Sequence, residues 1–80
     1  MEEKFVDVVD SVTVGKVNVL LVLNIPSHSV IDPASGKVWV FININDEDLF
    51  ATLSHELLHV LGLEEKDVVK VVSLVRKYVK

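Results

Sequence analysis

The chain contains no cysteine, one arginine (Arg76), one methionine, two prolines and three glycines in 80 residues. Without cysteine, neither a disulfide framework nor a thiolate metal site can form, so any metal would have to be held by histidine, carboxylate or water. Basic residues are also few. Eight Lys and Arg against twelve Asp and Glu leave a net charge of -4 and a pI near 5.2, which argues against a nucleic-acid partner, because phosphate contacts need concentrated Lys and Arg. No apolar run reaches the length of a membrane span, and the acidic start "MEEKFVDVVD" does not read as a secretory signal. No membrane partner and a cytoplasmic setting are therefore expected.

Half of the residues are apolar and a quarter charged, as suits one small globular domain over 1–80. From Glu2 to Val12 the spacing of Phe5, Val8, Val9 and Val12 suits one face of a short helix, although so many valines make a strand nearly as good a reading. "KVNVLLVLN", Lys16 to Asn24, is short, β-branched and almost wholly apolar, the pattern of a central strand covered on both faces. "DPASG" is turn-forming and joins Ser29–Ile31 to "KVWVFINI", Lys37–Ile44, as a hairpin.

"NDEDLFATLSHELLHVLG" carries the clearest helical signal. Asn45 is its expected N-cap, three acids sit in the dipole-favoured first turn, Gly62 is the expected stop, and Leu63 is expected to fold back on the last turn. A last helix should follow, with Val68, Val71, Val72, Val75 and Val79 along one side. The expected fold is α+β, a small three-stranded sheet packed with a main helix and a C-terminal helix.

On the main helix His55 and His59 are four residues apart and so project from one side, one turn above the other. Leu49, Phe50, Leu53, Leu57, Val60 and Leu61 fall roughly opposite, which turns the histidines toward a cleft or solvent. Such a pair suits tetrahedral Zn2+. Glu56, next to His55, can reach a water on the metal, where a carboxylate serves as general base; zinc lowers that water's pKa to about 7. Away from a metal, Glu56 would be an ordinary solvated helix glutamate.

"HELLHVLGLEE", His55 to Glu65, resembles the zinc-binding signature of the zincin metallopeptidases and, in its longer form, the metzincin pattern HExxHxxGxxH. His55, Glu56, His59 and Gly62 match that pattern, and Glu65 stands where its third histidine would be. The resemblance implies a zincin-like minimal catalytic subdomain that hydrolyses peptide bonds, with His55 and His59 as zinc ligands, Glu56 as general base, and Gly62 turning the chain toward a third ligand. The chain departs from metzincins in having no methionine beyond Met1 for a methionine turn, and no downstream subdomain. It is also similar to the minigluzincins, single-domain zincins with a glutamate as third ligand on a later helix. Here the last helix has no acid after Asp67. Glu65 is the preferred third ligand, and Glu64, Asp67 and the loop histidine His28 are the alternatives. Tyr78 either points its hydroxyl at the cleft or caps the apolar edge of the last helix.

In zincins the strand before the metal helix often pairs antiparallel with an extended substrate. "KVWVFINI" has that place here, so a peptide or protein substrate bound along the 37–44 strand is expected, with an interior hairpin arm as the equal alternative. A free edge could instead pair with a second copy as a homodimer. The rival to an enzyme is a non-catalytic metal-binding or interaction module of the same fold; a zinc hydrolase acting on another bond comes third.

Overall fold

The computed structural model describes residues 7–57, 60 and 63–79. The elements run β1 (Val8–Val14), β2 (Val17–Val22), β3 (His28–Ile31), β4 (Val38–Asn43), α1 (Leu49–Leu57) and α2 (Glu65–Arg76). The four strands form one mixed sheet in the order β1-β2-β4-β3, in which only β2 and β4 run parallel.

The expected three strands become four because Val8–Val14 is a strand, not part of a helix over 2–12. Its valines are stiff at χ1 and pack better on a pleated surface. The turn Gly15-Lys16 then folds β1 onto β2, pairing Val14 with Val17. Gly15 has φ +59°, the left-handed geometry that a two-residue hairpin turn with glycine first requires.

Parallel pairing brings Val17, Val19 and Leu21 of β2 beside Val38, Val40 and Ile42 of β4 on one face, and all six are buried. Both helices cover that face: Leu49 and Leu53 of α1, and Val71, Leu74 and Val75 of α2, complete a single core. Sheet and helices make two layers, and the molecule measures 40 × 37 × 17 Å. The expectation that β2 is covered on both faces is corrected. On the far face only Val22 of β2 is buried, while Asn18, Leu20, Trp39 and Phe41 remain half-buried, because no helix packs there among the described residues.

Two helix boundaries also differ. Asp48, not Asn45, caps α1: its carboxylate accepts the Ala51 N–H at 3.0 Å and its carbonyl accepts the Thr52 N–H. Asn45 instead closes a turn, donating its N–H to the Asn43 side chain at 2.8 Å. On α2 the buried stripe includes Leu74, while Val79 lies beyond the helix and is exposed. The expected stop at Gly62 lies outside the described residues; Leu63 is half-buried against the core.

Candidate functional site

The strand β4 leads through residues 44–48 into α1, which packs back on β4. Leu49 lies near Tyr78 at one end of the sheet. At the other end, Leu63 and Asp67 line a cleft with Gly15, Lys16 and Gly36, the turns that open β2 and β4. The last turn of α1 and the first turn of α2 therefore lie toward the same end of the sheet.

Within α1 the buried positions are Leu49, Leu53 and Glu56, a spacing of four and three residues that defines its core-facing side. Glu56 is only 8 % exposed and, among the described residues, is the one buried charged side chain. It is thus no solvated surface glutamate. Burying a carboxylate costs free energy unless it is paired or turned to polar surroundings; no fully buried side-chain oxygen or nitrogen among the described residues lacks a partner, so the Glu56 carboxylate is not an uncompensated buried charge, and it is the side chain as a whole that the core covers. His55, the preceding residue, is exposed, consistent with the roughly 100° step between neighbours on a helix. Phe50 and Leu57 flank the core-facing side and are half-buried.

His59 lies outside the described residues, as do Leu61 and Gly62. Glu65 is the first residue of α2 and is exposed, with Glu64 before it in extended conformation. Glu64 reaches Lys66 at 3.4 Å in an exposed ion pair, which is worth little in water. Asp67 is half-buried. Among the described residues no three His, Asp or Glu side chains come together so as to hold a metal ion, so His55 and Glu65 alone do not make a centre.

His28 is not in a loop. It lies on β3, its ring stacked on Phe41 with centroids 4.7 Å apart, and its Nδ1 donates to the Pro26 carbonyl at 2.7 Å. Tyr78 donates its hydroxyl to the Asp10 carboxylate on β1 at 3.0 Å. This bond and partial burial hold the phenol above its usual pKa, since ionising it beside Asp10 is disfavoured.

The expected seat of a substrate along 37–44 is corrected. Val38 and Ile44 donate N–H groups to Lys16 and Val22 on one side, and β3 pairs with β4 on the other. With both edges occupied, β4 cannot accept another strand. The sheet edge next to it is β3, the expected hairpin arm Ser29–Ile31 extended by His28; that this arm rather than β4 forms the edge depends on the strand order, which the sequence pattern does not record.

The arrangement defines a small two-layer α+β domain whose main helix carries an exposed histidine beside a buried glutamate. Comparison with known protein families, with curated proteins and with solved structures finds no match for this chain.

Proposed function

We propose that this domain is a minimal zincin-like, zinc-dependent metallopeptidase of the cytoplasm. The observation that carries the reading is the burial of Glu56, the base position of the HELLH segment, in a protein that otherwise keeps its described charges at the surface. A glutamate packed on the core-facing side of its helix is unusual, since acidic side chains are almost never buried unless paired, and this one adjoins an exposed histidine.

His55 and His59 would hold the metal, with Glu65 as third ligand. Zinc, when bound, supplies a Lewis acid and a water acidified toward neutral pH. Glu56 would accept a proton from that water and return it to the leaving amine, the task of a general base. An extended peptide could take the outer edge of β3, where main-chain hydrogen bonds supply affinity without sequence preference.

The test separates metal from chemistry. The wild type should hold about one zinc per chain, and His55→Ala should lose it; Glu65→Ala should weaken zinc far more than Glu64→Ala or Asp67→Ala. Chelation should lower the melting temperature, because metal bound only to the folded state stabilises it. Glu56→Gln should keep zinc and fold while cleavage of a mixed peptide library falls about 10²-fold or more. A zinc-loaded wild type that cleaves nothing would leave a metal-binding interaction module as the reading, and metal retained by His55→Ala would remove the centre altogether.

A further inference from the structure

The β3 strand is an edge without protection. Its segment holds no Asp, Glu, Lys or Arg, and Val30 and Ile31 are 46 % and 55 % exposed. Proteins usually blunt such an edge with charge, proline or a bulge.

The hydrogen-bond phase says which groups the edge offers. Asp32 donates its N–H to the Lys37 carbonyl at 2.8 Å, and β3 pairs His28 with Phe41 and Val30 with Trp39. Backbone direction alternates along a strand, so His28, Val30 and Asp32 turn their N–H and C=O groups toward β4. Ser29 and Ile31 turn theirs outward.

We propose that this edge binds a second copy of the same chain, β3 against β3 in antiparallel register about a two-fold axis at Val30. Ser29 then lies opposite Ile31 of the second copy, and by symmetry Ile31 opposite its Ser29. Each pair exchanges two main-chain hydrogen bonds, so every outward group of β3 is used. A shift centred on Ile31 would bring Ser29 opposite Pro33, which has no N–H to give.

The same register sets His28 opposite Asp32 of the second copy, twice. Directly opposed residues share a face, and opposite charges there attract. The Asp32 carboxylate is held ionised, accepting the Ser35 hydroxyl at 2.8 Å and the Ala34 N–H at 3.0 Å. The His28 ring has Phe41 stacked on one face and its Nδ1 on the Pro26 carbonyl, which leaves Nε2 as the ring nitrogen to meet the Asp32 carboxylate of the second copy. This complementarity favours a second copy over an arbitrary peptide. The pairing needs no metal, and a peptide on the same edge would compete with it.

Sedimentation of the full chain over a concentration series tests this. The wild type should show a reversible monomer–dimer equilibrium that a chelator leaves in place, so failure of the metal reading would not remove it. Ser29→Pro deletes an outward N–H at an edge position that tolerates proline. It should keep its circular dichroism and weaken the dimer by about tenfold or more, since symmetry removes two bonds at once. His28→Lys should tighten the dimer and His28→Glu weaken it, although both lose the stack on Phe41. Should Ser29→Pro fail to fold, the His28 pair decides. A wild type still monomeric at millimolar concentration overturns the pairing, and so does a dimer unchanged in folded Ser29→Pro or equally affected by Lys and Glu at position 28.

Discussion

The two edges of this sheet are built differently. At one, β1 bears an irregularity in register between Val8 and Asp10, carries the Asp10 carboxylate, and is tied by Tyr78 to the chain leaving α2. At the other, β3 has no Asp, Glu, Lys or Arg and two exposed aliphatic side chains. A bulge and a charge are common ways to stop edge-to-edge association, so the β1 side is closed and the β3 side is open. One sheet can thus be guarded where α2 closes the fold and left bare on the side of α1, the helix that carries His55 and Glu56.

The largest effects are expected where the two sides share one core. Leu53 of α1 and Leu74 of α2 are 2 % and 7 % exposed and belong to the same cluster. Leu53→Ala and Leu74→Ala should each destabilise by about 2–5 kcal/mol, lowering the melting temperature by roughly 10 °C or more. Denaturant titration would show it. If only Leu74→Ala has a large effect, α1 is not part of the cooperative unit and the open side is a loosely attached half.

A smaller effect of opposite sign is expected at Glu56. If Glu56 holds its core-facing place for chemistry, then Glu56→Leu should raise stability by about 1 kcal/mol, because an apolar side chain suits that side of the helix better. Hydrolysis should disappear in the same variant. A fall in unfolding free energy would say instead that the carboxylate has a structural partner, and the open side would lose its claim to a site.

The smallest change should come from the closed side. Tyr78→Phe removes the hydroxyl that donates to Asp10, and a slight fall in melting temperature at neutral pH should follow. The sign with pH is defined: the phenol's pKa is raised in the folded state, so its contribution is fully present below pH about 10 and is lost as pH rises through the folded value. Melting curves of wild type and variant should converge in strong alkali. A constant gap across that range would show that the Asp10 contact does not tie down this edge.

Some features were readable because they depend on local chemistry. "DPASG" supplies a turn wherever it stands, and the alternation of Val38, Val40 and Ile42 against Trp39 and Phe41 assigns the two faces of β4 by period alone. β1 was less legible, since valine at mixed spacing fits either period; the flanking pair Gly15-Lys16 between two β-branched runs was the available signal for a hairpin. Asp48 displaced Asn45 as cap because residues near a helix start compete for one N–H, and only the path of the chain out of β4 decides which reaches it.

The candidate site divides in the same way. The spacing of His55, Glu56 and His59, the absence of thiolate ligands and the acidic balance are properties of the sequence by itself, because helix pitch and side-chain chemistry do not depend on what lies nearby. That Glu56 is buried, that β4 is interior and that β3 is the open edge came only from the tertiary structure. Burial and strand order arise from contacts between segments far apart in the chain, such as β2 inserted between β1 and β4, and one segment's pattern carries no record of which neighbour will cover it.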